Sequence, residues 1–109
     1  MRDELKSYLH DILQAISRID TFLKGISTFE QYQNNQMLKS AIERQIEIIG
    51  EAINNLLKQD PSISISNSRT IVNMRNKLIH GYDEVDDTIV WNTVKKYIPL
   101  LKSEIEELL

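Results

Sequence analysis

Apolar residues recur every three or four positions over long stretches of this chain, and that spacing leaves little freedom in the choice of fold. The longest stripe comprises Leu38, Ile42, Ile46, Ile49, Ile53 and Leu56. A second stripe of the same kind comprises Leu5, Leu9, Ile12, Ile16, Ile19 and Leu23. Because an α-helix has about 3.6 residues per turn, such spacing gathers side chains on one helical face. The sequence therefore predicts long amphipathic helices that bury these faces against one another.

Turn-forming residues set the predicted limits of the first two helices. Gly25 predicts the end of the first helix. The second helix is predicted to run from position 28 or 29 to Leu57, because Asp60 and Pro61 then stop it. Residues 62–68 alternate serine with isoleucine, as a strand would. A single strand between helices has no pairing partner, so we expect a loop there.

Two further helices are predicted in the second half of the chain. The third begins with an N-cap at position 67 or 68 and ends at His80, where Gly81 can adopt the left-handed conformation. The fourth begins with an aspartate cap at position 86 or 87, and Pro99 kinks or restarts it. We therefore expect an all-α antiparallel bundle of four to five helices, with residues 1–109 forming one domain.

Composition narrows the classes of function. The net charge is −3, which disfavours a protein that coats nucleic acid with a broad basic surface. Any RNA contact must then be local, and Lys58, Arg69, Arg75 and Lys77 are the candidate cations. The chain has no cysteine, no signal-like N-terminal run and no stretch of about 20 apolar residues. We expect a cytoplasmic protein without a membrane span.

The run Arg75-Asn76-Lys77-Leu78-Ile79-His80-Gly81-Tyr82 gathers a permanent cation, an imidazole and a phenol around one predicted helix end. A guanidinium offers a planar fork of donors to phosphate oxygens, and an imidazole exchanges protons near neutral pH. These groups suit cleavage of RNA by its own ribose 2′-hydroxyl, which needs a proton acceptor, a proton donor and charge stabilisation. No metal or other cofactor is required by this chemistry.

We assign candidate roles to three residues of this run. His80 is the proton acceptor or donor, Arg75 stabilises phosphoryl charge, and Asn76 orients either the imidazole or the phosphate. On a regular helix Arg75 lies about 140° around from His80, so one chain alone focuses the two groups poorly. Fraying of the helix at Gly81, or pairing of two chains about a two-fold axis, could bring both groups to one phosphate. The second possibility makes a shared site attractive, and we therefore expect a homodimer.

The spacing of arginine, four residues, histidine, one residue and tyrosine resembles that of HepT toxins in the HEPN superfamily. The resemblance extends upstream to residues 43–44 and 48–52, and downstream to Asp87, residues 90–91 and residues 99–100. It thus covers nearly the whole chain. It implies a dimerising helical bundle with metal-independent endoribonuclease activity, acting as the toxin of a type VII toxin-antitoxin system.

The same resemblance implies a partner and a modification. In that family the antitoxin is a minimal nucleotidyltransferase of the MntA type, which adenylylates the motif tyrosine; the matching position here is Tyr82. An attached AMP would place an anionic phosphate beside Arg75 and His80 and exclude RNA. The chain departs from the family at Asn67-Ser68, where Pro-Trp is common, and at Asn73, where glycine is common.

Other interpretations of the motif remain open. In one alternative, the chain is a noncatalytic nucleotide-binding or nucleotidyltransferase-binding module in which Arg75 and His80 only bind a phosphate. In another, the chain is a structural dimerisation protein. Tyr82 can equally pack its ring against the fourth helix. Each interpretation predicts a different outcome for RNA turnover and nucleotide binding.

Two features of the second helix bear on the motif. Glu43, Glu47 and Glu51 stand four residues apart, but no Glu-x-x-His segment accompanies them, so we expect a solvated or intersubunit stripe rather than a metal site. Gly50 in mid-helix costs about 1 kcal/mol relative to alanine, which favours close approach of another helix. Glu51 could touch Arg75 across that contact, which the sequence by itself does not show. His10 has no partner at metal-ligand spacing and receives no function.

Overall fold

Helices account for all the regular structure in the part of the chain that a computed structural model describes, residues 1–81 and 85–109. The α-helices are α1 (Asp3–Phe22), α2 (Phe29–Gln33), α3 (Gln36–Gln59), α4 (Ser68–Ile79), α5 (Asp87–Asn92) and α6 (Ile98–Leu108), and a π-helical turn, Thr93–Tyr97, joins α5 to α6. No strand occurs among these residues. The all-α prediction is confirmed.

The central element is α3, which packs against both α1 and α4. Both predicted stripes are buried as expected, apart from Leu23, which is only partly buried at the end of α1. Each buried leucine or isoleucine stabilises the fold by about 1.5–3 kcal/mol relative to an exposed one. The side chains with relative exposure of 2% or less include Leu9, Ile12, Ile16, Ile19, Ile42, Ile46, Ile49, Ile53 and Leu56.

The predicted second helix is divided in two, so the prediction of one continuous helix was wrong. In front of α2, Thr28 and Gln31 form a capping box: the Gln31 backbone N–H donates to Thr28 Oγ1 at 3.2 Å, and the Thr28 N–H donates to Gln31 Oε1 at 3.1 Å. In front of α3, the Leu38 backbone N–H donates to Asn35 Oδ1 at 3.0 Å. Asparagine favours an N-cap over a helix interior, and this cap starts α3 afresh.

The connection between α3 and α4 is a loop, as predicted for residues 62–68. Ile65 is buried, and Ser66 is held by Glu104 of α6, whose carboxylate accepts from both the backbone N–H and the hydroxyl of Ser66. Asn67 is the N-cap residue of α4 with φ of 61°, a left-handed conformation that asparagine tolerates better than most residues. The predicted start of this helix is confirmed.

The C-terminal helical segment remains helical through Pro99. Asp86 caps α5, since its carboxylate accepts from the Thr88 backbone N–H at 2.8 Å. The π-helical turn ends two residues before Pro99, which lies in the first turn of α6. Proline lacks an N–H and its ring crowds the carbonyl four residues earlier. A change of helical register before the proline relieves that crowding, so the restart predicted at Pro99 takes the form of a π turn.

Candidate active site

Arg75 lies on the side of α4 that faces α3, directly opposite Gly50. A Cβ atom built on Gly50 would lie 2.9 Å from Arg75 Cγ, still closer to Arg75 Cβ, and 3.4 Å from the carbonyl oxygen of Ile71. The close helix approach that Gly50 predicts is therefore present. It leaves the Arg75 side chain only 22% exposed.

Two side chains hold the Arg75 guanidinium. Nη2 donates to Oε2 of Glu51 in an ion pair between α4 and α3, and Nη1 donates to Oδ1 of Asn76 at 2.8 Å. Nε is buried and has no acceptor among residues 1–81 and 85–109. The contact between Glu51 and Arg75, which the sequence left open, is present, and the structure also brings Asn76 to the guanidinium of its neighbour.

His80 is exposed at the C-terminal end of α4, one residue beyond the helix. Its backbone N–H donates to the carbonyl of Asn76 at 3.1 Å, and the next N–H, of Gly81, donates to the carbonyl of Leu78 at 3.3 Å. Gly81 has φ of 67°, so it closes the helix in the left-handed conformation that was predicted for it. His80 therefore sits about 7.5 Å further along the helix axis than Arg75, at 1.5 Å per residue.

Tyr82, the predicted AMP acceptor, lies outside the described residues. Its assignment stays a prediction from the sequence. The described chain resumes at Val85, and Asp86 then caps α5.

A groove of about 300 Å³ adjoins the Arg75–Glu51 pair on the α1 side of α3. Apolar atoms of Ile48, Ala52 and Ile79 line it, together with polar groups from α1 and α3, among them Tyr8 and Glu51. Ile79 is 48% exposed and immediately precedes His80. An open apolar surface thus lies beside both motif residues.

The three glutamates of α3 have separate partners rather than a common ligand. Glu51 pairs with Arg75, Glu47 lies 3.9 Å from Arg44, and Glu43 lies near Asp87 and Lys39. No group of three or more His, Asp or Glu side chains in residues 1–81 and 85–109 is arranged to hold a metal ion. The predicted intersubunit role of the stripe is not needed to explain Glu51, whose partner is in the same chain.

The candidate cations do not share one surface. Arg75 faces α3, whereas Lys77 lines a different groove, between α4 and α5, with Asn73 and Ile89. Residues two positions apart on an α-helix are separated by about 200° around its axis, so Arg75 and Lys77 point to different sides of α4. Arg75 is thus the cation of this set that lies beside Glu51.

A second charged cluster, which sequence reasoning missed, anchors the start of α5. Lys39 Nζ and Asp87 Oδ2 form an ion pair at 3.1 Å between α3 and α5. Partial burial raises the pKa of Glu43, and the negative charge of Asp87 raises it further. Burial also raises the pKa of Tyr32, whose hydroxyl is enclosed near Glu43 and Asp87. Lys39 and Asp87 are 48 residues apart, so no local sequence signal joins them.

The all-α bundle of the described residues is the fold that the resemblance to the HEPN superfamily implies. The chain belongs to the Ribonuclease HepT-like family, whose sequence profile matches residues 12–108. The HepT-like family assignment is thereby confirmed. No solved structure matches the chain.

Curated relatives cover nearly the full chain. A probable ribonuclease HepT from Thermococcus cleftensis is 39% identical over 112 residues, which span 99% of this chain and 98% of the relative. A candidate RNase from Caldanaerobacter subterraneus subsp. tengcongensis is 40% identical over 105 residues, 95% of this chain and 93% of the relative. A candidate RNase from Methanocaldococcus jannaschii is 36% identical, with coverage of 97% and 88%. None of the helices in the described ranges has the length and apolar character that crossing a membrane requires.

Proposed function

We propose that this protein is a metal-independent RNA endonuclease of the toxin type in which Arg75 and His80 act on one phosphodiester. The observation that supports this most strongly is the guanidinium of Arg75, held between Glu51 and Asn76 on the helix that ends at an exposed His80. Membership of a ribonuclease family supports RNA as the substrate class.

The reaction is an attack of the ribose 2′-oxygen on the adjacent phosphorus, with departure of the 5′-oxygen of the next nucleotide. An imidazole accepts the 2′-hydroxyl proton, a second donor protonates the leaving oxygen, and the guanidinium stabilises charge on the phosphoryl oxygens. The products are a 2′,3′-cyclic phosphate and a 5′-hydroxyl. Every proton in this scheme is carried by side-chain groups or water, so the step is balanced without a metal.

The first test is cleavage of RNA in the presence of a chelator. We expect Arg75→Ala and His80→Ala each to abolish most cleavage, because each removes a separate part of the reaction. Arg18→Ala and His10→Ala, which replace an exposed arginine and an exposed histidine of α1, are matched controls that should leave the rate unchanged. An RNA with a 2′-deoxyribose at the cleaved position should resist. Tight nucleotide binding without RNA turnover would instead support a noncatalytic binding module.

We also propose that two chains pair so that one site takes groups from both. The apolar groove beside His80 and the exposed Ile79 support pairing through this face. Mixing inactive Arg75→Ala and His80→Ala chains tests it, since a heterodimer would contain one complete shared site. With random pairing, about half of the dimers are mixed, and each mixed dimer has one complete site where the wild type has two. About a quarter of the wild-type activity should therefore return. No recovery, with heterodimers demonstrated, would contradict a shared site.

We further propose that a partner nucleotidyltransferase silences the protein by transferring AMP to Tyr82. The support is the position of Tyr82 two residues after His80 in a HepT-like chain. Intact mass of the protein co-expressed with the enzyme should show added AMP units, which Tyr82→Phe removes and Tyr8→Phe does not. An adduct that persists in Tyr82→Phe would contradict the assignment.

A further inference from the structure

Glu51 occupies one side of the candidate catalytic guanidinium. Arg75 has five N–H donors, of which Glu51 and Asn76 take one each, on Nη2 and Nη1 respectively. Nε is enclosed, so the donors left for a substrate are the remaining ones on the two terminal nitrogens. The two acceptors therefore determine which edge of the guanidinium faces outward.

The backbone reinforces this restriction. Because Gly50 has no Cβ, the root of the Arg75 side chain lies against α3 and has little room for other conformations on that side. Glu51 is the next residue on α3 and is 48% exposed, so its carboxylate reaches the guanidinium from the solvent side. Gly50 fixes where the side chain begins, and Glu51 fixes where it ends.

We propose that Glu51 is a positioning residue for Arg75, holding the guanidinium in the orientation that stabilises the phosphoryl oxygens in the transition state. This inference rests on the function proposed above. Glu51 offsets part of the positive charge of Arg75, so it does not strengthen the attraction between Arg75 and RNA. Its contribution is orientation, which affects the chemical step rather than ground-state binding.

This role predicts a specific division between kinetic constants. Without Glu51 the guanidinium keeps its charge but samples more orientations. We expect Glu51→Ala to lower kcat by about 10- to 100-fold, the range that small misplacements of catalytic groups produce, while KM stays within about twofold. Glu51→Gln retains an oxygen acceptor of the same length and should recover most of the rate.

The test compares single-turnover cleavage by wild type, Glu51→Ala, Glu51→Gln and Glu106→Ala. Glu106 is the matched control: it is an exposed glutamate on α6 and does not line the groove beside Glu51. Its replacement should leave kcat unchanged. Urea denaturation of each variant checks that the fold is retained, and the isosteric Glu51→Gln keeps the comparison informative if the alanine variant is destabilised.

The pH dependence of the cleavage rate distinguishes a positioning residue from a general base. If Glu51 only positions Arg75, the profile of Glu51→Ala keeps its shape at a lower rate, whereas loss of one limb would identify Glu51 as a proton acceptor and overturn the proposal. A rate that rises in Glu51→Ala would also overturn it, since the carboxylate would then be a competitor of the substrate. If wild type is active and Glu51→Ala has the same kcat, only the positioning role of Glu51 is contradicted. If wild type is inactive, the proposed ribonuclease function itself is contradicted.

Discussion

Replacing Gly50 with alanine places a methyl group in the contact between α3 and α4. The separation from Arg75 Cγ must grow from 2.9 Å to at least the 3.4 Å of an ordinary contact, a shift of about 0.5 Å, and the Arg75 Cβ atom is closer still. These atoms are the root of the side chain rather than its flexible end. The helix itself must therefore move, and it carries Arg75 away from Glu51.

Two opposing terms set the stability change. Alanine in place of a helical glycine stabilises by about 1 kcal/mol through helix propensity. Overpacking a close contact costs about 1–3 kcal/mol. The net loss is then about 0–2 kcal/mol, which a urea denaturation midpoint resolves. Activity should fall much more, by about 10- to 100-fold, because the displaced group acts on the phosphate.

The assay is single-turnover RNA cleavage at a temperature where the variant is fully folded. Ser40→Ala is the control, because Ser40 is exposed on the same helix and its replacement changes propensity without adding a contact to α4. We expect wild-type rates for that control. Full cleavage activity in Gly50→Ala, together with an increased stability, would show that α4 does not need the space at Gly50.

Three further predictions concern stability. Glu43→Gln should raise stability at pH 7 by less than about 1 kcal/mol, because Glu43 is partly solvated. Burial, then repulsion from Asp87, raises the pKa of Glu43 in the folded state, so its ionised form is destabilising at high pH. The advantage should disappear as pH falls below the ordinary value of 4.5, and a constant difference down to pH 3 would contradict this cause. Tyr32→Phe should stabilise by about 1 kcal/mol, since the buried hydroxyl finds no acceptor within residues 1–81 and 85–109; a lower unfolding midpoint would mean that the hydroxyl is satisfied. Thr93→Val should cost about 1 kcal/mol, because it removes the 2.8 Å hydrogen bond to the Ile89 carbonyl inside the core, and calorimetry that shows no change would refute that contribution.

The helices could be predicted where apolar spacing and capping residues agree. The stripes of α1 and α3 become the core, and Gly81 and Asp86 close and open helices as expected. The break before α3 was missed because residues 30–37 contain little apolar periodicity to interrupt. Asn35 was the available signal, since asparagine is a common N-cap.

The site was predictable in part. A glycine in mid-helix correctly indicated a close helix contact, and the structure shows that Glu51 meets Arg75 across it. The hydrogen bond from Arg75 to Asn76 was not predicted, because adjacent helical residues ordinarily point in different directions. The Lys39–Asp87 ion pair was inaccessible to sequence reasoning, since it depends on how α5 packs against α3. The catalytic roles of Arg75 and His80 stay predictions.

The π-helical turn before Pro99 has a consequence for insertions and deletions in this part of the chain. A π turn contains one residue more than the α turn it replaces. Lys95 and Lys96 are both exposed, so either of them can be regarded as the extra residue. Deleting Lys96 alone would force the proline ring against a carbonyl, and replacing Pro99 alone would leave the surplus residue in place. Both changes together would restore an unbroken α-helix with Leu101 and Ile105 still facing the core, so the chain length here and the identity of residue 99 are energetically coupled.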